Sequence, residues 1–329
     1  MKSLAYDRNG EPWDELRLVE RPQPRMDGGM VLVRLEATPV HIADLKAIRG
    51  ELPFVPPGPG VPGFEGVGRI IDCAHDVTGW APGHRVILPM AYGAWSEVCA
   101  VAEDALWQAP EGVPAEQLAL VRINLSTVYL LLHAYARLER GDWIVQNAAN
   151  SNVAHYVAQL AASAGINVVD VVRRPELVAP LEGAGRRHVL VDGADIAARI
   201  VRIAESRPCL ALDAIGGTAT TRLGACVADD GCVLAYGFLA EQPYALAYAD
   251  VMFRNVRLQG MMTDRAMDRI GAGGRATMVA VLQSVMASGV LDAEIAGIYA
   301  FEEIQAALRH AAGIDGRRAG KVILVPDKA

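Results

Sequence analysis

An apolar run, Trp143 to Val145, passes through nine residues without a glycine, NAANSNVAH (147–155), into a stretch whose apolar positions Val153, Val157, Leu160 and Ala161 recur at helical spacing. A second apolar run, INVVDVV (166–172), follows Gly165, a residue suited to closing the helix. Strand, helix and strand in that order form a βαβ unit, which closes as a right-handed crossover onto a parallel strand. This segment commits the middle of the chain to a parallel sheet.

The texture on either side sets the extent of that sheet. Further strands are expected at HVLVD (188–192), CLALDAIGG (209–217), GCVLAYG (231–237) and NVRLQGMM (255–262), with helices such as ADIAARIVRIAE between them. Before about Gln117 the pattern differs. MVLVRLEAT (30–38), GVGRIIDCA (66–74), GHRVILPM (83–90) and AWSEVCAV (94–101) are short alternating segments. Gly and Pro separate them, most densely in LPFVPPGPGVPGFEG (52–66), which predicts a rolled or barrel-like sheet. The tail reads as helix RATMVAVLQSVMASG, strand EIAGIYA, helix FEEIQAALRHAAG and strand GKVILVP, which can return to the first domain. The fold class is α/β, a β-rich domain joined to a doubly wound parallel sheet.

The net charge of -7 argues against a general attraction to nucleic acid or an anionic membrane. The uncharged stretch Ile123 to Ala136 is too short and too polar to span a bilayer, and MKSLAYDRNGEPWDE has no apolar core of a signal peptide. A soluble cytoplasmic protein acting on a small molecule is expected. The five cysteines, Cys73, Cys99, Cys209, Cys226 and Cys232, are scattered, without a CxxC pair or zinc spacing, and read as reduced thiols.

A helix N-terminus presents free N–H groups and a positive dipole end, where dinucleotide pyrophosphates bind. Asn150, Ser151 and Asn152 stand where glycines usually do, and asparagine best tolerates the left-handed region. The next strand ends in Arg173 and Arg174, the residue type that receives a 2′-phosphate; Asp170 lies three residues earlier, poorly placed for a ribose. The pattern predicts NADPH.

IVQNAANSNVAHYVAQLAASAGINVVDVVRRPE, FEGVGRI, ALDAIGG and VLAYGFLAEQP together resemble the zinc-free medium-chain dehydrogenases/reductases, nearest the mitochondrial-type 2-enoyl thioester reductases and also the quinone oxidoreductases. The resemblance implies a GroES-like catalytic domain over 1–123 and 266–329 and a Rossmann domain over 124–265. It places Asn124 near the nicotinamide, Asn150, Ser151, Asn152 and Val153 on the pyrophosphate, and Arg173 and Arg174 on the 2′-phosphate. Tyr236, Gly237, Phe238 and Leu239 would line the nicotinamide with Met261, Met262, Thr263 and Asp264, and Lys321 would reach the cofactor from the last strand. It also implies a homodimer through NVRLQGMM, the expected edge strand.

Two departures from the family pattern stand out. Zinc members carry Cys, His-Glu and Cys where this chain has His41, Phe64-Glu65 and Ile123, so only Glu65 matches and no metal is expected. The tyrosine that the enoyl reductases use as proton donor or orienting hydroxyl falls on Leu52, which can do neither. His41 and Tyr92 are the substitutes, and Leu52, Met261 and Met262 are expected in the substrate pocket. The activity implied is NADPH-dependent reduction of an activated C=C bond. The rival reading is a non-catalytic member of the fold, a cofactor sensor or binding protein.

Overall fold

The computed structural model of the chain describes residues 1–91, 93–289, 293–314 and 320–327. Tyr92 lies outside them. The chain forms two compact units, Met1–Leu125 with Thr277–Ala329, and Ser126–Ala276. The return crossing falls within Thr263–Ala287, two helical segments separated by a kink at Gly271 (φ 65°), later than the residue 266 anticipated from sequence.

The first unit begins with strands β1 (Lys2–Ala5), β2 (Arg17–Glu20), β3 (Met30–Pro39), β4 (Val67–Cys73), β5 (Arg85–Ile87), β6 (Val98–Ala102) and β7 (Trp107–Gln108). β3 is its axis, pairing antiparallel with both β4 and β6. The β3–β4 contact explains a glycine in GVGRI: a Cβ on Gly68 would stand 2.3 Å from the Arg34 carbonyl oxygen, closer than any side chain tolerates. Leu4, Leu16, Val33, Leu45, Ile70, Trp95 and Phe301 fill the core.

The second unit holds β8 (Trp143–Gln146), β9 (Asn167–Val172), β10 (Val189–Val191), β11 (Leu210–Asp213), β12 (Cys232–Ala235) and β13 (Arg257–Gly260). They form one parallel sheet in the order β10-β9-β8-β11-β12-β13. This is the doubly wound dinucleotide-binding order, whose direction reverses between β8 and β11. Strands covered by helices on both faces read as nearly continuous apolar runs, as CVLA and the first three residues of LALD do here, each strand buried along its whole length. β13 is the edge, as read from sequence.

The tail returns to the first unit through β14 (Ile295–Ala300) and β15 (Lys321–Val325). β15 pairs antiparallel with β3. Among the described residues no helix is long and apolar enough to cross a membrane.

Candidate functional site

In an open parallel sheet, ligands bind beyond the strand C-termini where the order reverses. Here that point is built from Asn147, just past β8, and Asp213, the last residue of β11. Asn147 Nδ2 donates to Asp213 Oδ1 at 2.6 Å, and its Oδ1 accepts from the Ala214 N–H at 2.8 Å. Asp213 also accepts from the N–H groups of Ile215 and Gly216 and from the Thr220 hydroxyl. Four donors on one buried carboxylate lock the two strand ends at a fixed spacing.

The glycine-free turn closes by a different route from the one expected. The residue in the left-handed region is Ala148, at φ 48°, and not one of the asparagines. Ser151 then caps the helix Asn152–Ala164, its hydroxyl accepting from the Ala154 N–H at 3.2 Å, and Gly165 ends the helix at φ 75°. Such a cap is worth about 1 kcal/mol.

Two polar atoms at this turn lack partners. Asn152 Nδ2 is buried without an acceptor, and the Tyr236 hydroxyl is buried near Ser151 in no well-formed hydrogen bond. Burial and the Asp213 charge push the Tyr236 phenol up, so it stays a neutral donor. Asn150 is exposed and Val153 half-buried on the same turn.

Beyond β9 the chain presents two exposed guanidiniums. Arg174 lies 3.7 Å from Glu176, and Arg173 has no ion pair among the described residues. Asp170 is buried and fully engaged, accepting from Gln146 and from Arg186 at 2.8 Å on both oxygens, so it offers nothing to a ribose. After β12, Gly237 is half-buried while Phe238 and Leu239 are exposed; after β13, Met261 is buried, Thr263 half-buried, and Met262 and Asp264 exposed.

The first unit contains a separate polar cluster. His41 Nε2 lies 2.6 Å from Glu65 Oε1, Lys321 Nζ donates to His41 Nδ1 at 3.0 Å, and Glu65 Oε2 accepts from the Ile123 N–H at 2.8 Å. Asp44 accepts from the N–H groups of His41 and Gly63. The lysine fixes Nδ1 as acceptor, so His41 carries its proton on Nε2, toward Glu65.

Two expectations change here. Both ring nitrogens of His41 are taken, and burial holds the imidazole pKa well below its usual value, with the Lys321 charge adding to the effect. His41 is therefore a neutral structural link and not an acid titrating near neutral pH. Lys321, expected on the cofactor, has its ammonium turned to His41. Leu52 is 7% exposed and packs with Ala47 and Phe64, so the position that would carry a tyrosine is core. Among the described residues no group of three or more His, Cys, Asp or Glu side chains is arranged to hold a metal ion.

The short π-helical turn Val121–Leu125 ends the first segment of this unit. It contains Asn124, buried with Nδ2 unpartnered, and Arg122, whose guanidinium lies 3.7 Å from the Trp107 ring centroid. Sequence reading passed over Arg122 and the Asn147–Asp213 bond. A charged residue beside an asparagine in an otherwise apolar stretch was the available signal for the first, and polar residues ending two buried strands for the second.

The alcohol dehydrogenase GroES-like domain family matches residues 27–111. Human mitochondrial enoyl-[acyl-carrier-protein] reductase is 32% identical over 267 residues, covering 79% of this chain and 72% of that protein. This chain belongs to the mitochondrial enoyl-[acyl-carrier-protein] reductase family. It is thus a medium-chain dehydrogenase/reductase and an oxidoreductase of the enoyl reductase type. A Bacillus thuringiensis protein described as an NADPH:quinone reductase shares the reductase fold at TM-score 0.89 and 22% identity, covering 99% of each chain. The Etr1p complex with NADP and crotonyl-CoA matches at TM-score 0.84 and 22% identity, over 98% of this reductase and 99% of that chain.

Proposed function

We propose that this chain reduces the carbon–carbon double bond of an enoyl thioester with NADPH and without zinc, quinones and α,β-unsaturated carbonyls being the next substrate classes. The carrying observation is the β9 end, where Arg173 and Arg174 stand exposed and Asp170 is already engaged by Arg186. The dinucleotide fits the turn: the N–H groups of the helix Asn152–Ala164, the orphaned Asn152 Nδ2 and the Tyr236 hydroxyl are donors suited to phosphate and amide oxygens. When bound, NADPH supplies the hydride. The protein's part is to hold the cofactor and substrate and settle the charge that develops on the substrate. Leu52 leaves protonation of the α-carbon to water.

NADPH should raise the melting temperature more than NADH at equal concentration, because a ligand that binds only the folded state stabilises it. Crotonyl thioester should then be consumed only with NADPH. Cofactor binding without turnover of any enoyl thioester, quinone or enone would favour the non-catalytic reading.

We also infer a homodimer through the β13 edge. Tyr248, Met252 and Phe253 on the helix Tyr248–Arg254 are 73%, 72% and 73% exposed, and Leu258 continues the apolar surface on β13. Phe253→Glu should shift the protein to monomer in sedimentation velocity; an unchanged dimer excludes this face.

A further inference from the structure

One edge of β6 is left unpaired. β6 aligns with β3 as Val33↔Cys99 and Val31↔Val101, and the same alignment continues where Leu35 N–H donates to the Glu97 carbonyl and Glu103 N–H to the Gly29 carbonyl. In an antiparallel pair only every second residue turns its N–H and C=O toward the neighbouring strand. Cys99 and Val101 therefore face β3, and Val98, Ala100 and Ala102 face away. Among the described residues no backbone group pairs with those three on that side.

The start of the same edge shows what it accepts. β1 lies against it antiparallel: Leu4 N–H donates to the Trp95 carbonyl, Glu97 N–H donates to the Lys2 carbonyl, and Ser3 pairs with Ser96. Glu97 thus gives its N–H to β1 and its C=O to β3. Along Val98–Ala102 the neighbour is instead a cleft of about 870 Å3, which lies wholly within the first unit. Val61, Leu88, Ala91 and Ala94 line it, with the irregular segment Arg21–Arg25. Pro22 and Pro24 in that segment have no N–H to offer the edge.

Strand edges are commonly blunted by charge, proline or a bulge, because an open one recruits another chain. The sequence of β6, VCAVA, contains neither a charged residue nor proline. Its three N–H donors and three carbonyl acceptors, repeating every second residue, match a peptide backbone; an acyl chain or a flat ring would leave them unpaired. Arg21 and Arg25 line the same cleft, exposed and in no ion pair among the described residues. Two free guanidiniums select carboxylates.

We propose that this cleft binds an extended acidic segment of a partner protein, which adds antiparallel to β6 as a further strand. β6 offers five residues, about 17 Å of edge, so the segment is short. Its apolar residues lie at alternate positions over the small side chains of Ala91, Ala94 and Ala100, and its acidic residues meet Arg21 and Arg25. The site is separate from the β13 edge and from the turn after β8, so it stands whether or not the reductase reading holds.

The probe is a heptapeptide amide of alternating Val and Thr with Asp at each end and fluorescein at its N-terminus, titrated with the full chain in fluorescence anisotropy. Wild type should bind it in the micromolar range. Two further peptides carry N-methyl groups on one or the other alternate set of amides. One should lose about 10-fold or more in affinity and the other less than about 3-fold, because only one row of N–H groups faces β6. Arg21→Glu/Arg25→Glu should lose roughly 10-fold, and added salt should weaken wild-type binding in the same sense. Ala100→Pro removes one outward N–H, keeps the bonds to β3, and should cost roughly 5-fold or more. The methylated peptides read the same contact on unaltered protein, whether or not that variant folds. Absence of binding by the parent peptide, equal binding of the two methylated ones, or an affinity unchanged in Arg21→Glu/Arg25→Glu overturns the proposal. Two other outcomes overturn it by naming a different occupant. Binding of sodium dodecanoate without binding of the peptide assigns the cleft to a lipid carboxylate, and self-association in sedimentation velocity that Ala100→Pro abolishes assigns it to a second copy of this chain.

Discussion

Replacing Lys321 with methionine should lower the folding free energy by about 2 kcal/mol more near pH 8 than near pH 6. Methionine keeps the packing of the lysine stem and removes only the ammonium that donates to His41 Nδ1. Burial lifts Glu65 to about 8 and Asp44 to about 7, with Lys321 pulling both the other way. Each acid thus holds a proton in the folded chain that the unfolded chain has already lost. Their contribution to stability is complete below the unfolded values of 4.5 and 3.8 and declines as pH rises through 7 and 8. Burial lowers the pKa of Lys321 itself, with Glu65 and Asp44 opposing the shift; while protonated it limits that decline by stabilising the carboxylates, so its absence is felt most where they ionise and the lysine still holds its proton. His41 acts in the opposite sense: its folded pKa is depressed, and stability falls below 6.5 as the unfolded imidazole takes a proton. Adding Glu65→Gln should restore most of the alkaline loss, with a coupling energy of about 2 kcal/mol. Urea denaturation at the two pH values measures both quantities. Equal losses at both pH values, or an additive double-mutant cycle, would show that the lysine is not coupled to Glu65.

The double variant Arg173→Ala/Arg174→Ala should lose roughly 100-fold in its preference for NADPH over NADH, about 3 kcal/mol for two charge-assisted contacts to one phosphate. NADH affinity should change little, because neither residue has a role without the 2′-phosphate. The single Arg173 variant should carry the larger share, since Arg174 is already near Glu176. Both guanidiniums are exposed, so the effect should shrink with added salt. Fluorescence titration with the two cofactors decides the matter. A parallel fall in both affinities would relocate the arginines from the 2′-phosphate to general folding of the turn.

Local pattern carried the fold. Period-two alternation with Gly and Pro breaks gave β3 to β6, and the βαβ rhythm gave all six strands of the parallel sheet, because each depends on residues close in sequence. The Gly165 stop is likewise local. Chain order also sufficed for β13 as edge and for the return of the last strand.

The chemistry of side chains brought together from distant positions was decided by tertiary structure alone. His41 looked like a candidate acid until Glu65 and Lys321, 24 and 280 residues away, occupied both of its nitrogens. Lys321 looked free for a cofactor until β15 paired with β3 and brought it to the same place. Arg122 gave no sign in sequence of standing without an acceptor, since that depends on every group around it. Propensity and periodicity are properties of neighbours along the chain, which the sequence states directly. Burial, proton position and unpaired charge are properties of neighbours in space, and these exist only once the chain has folded.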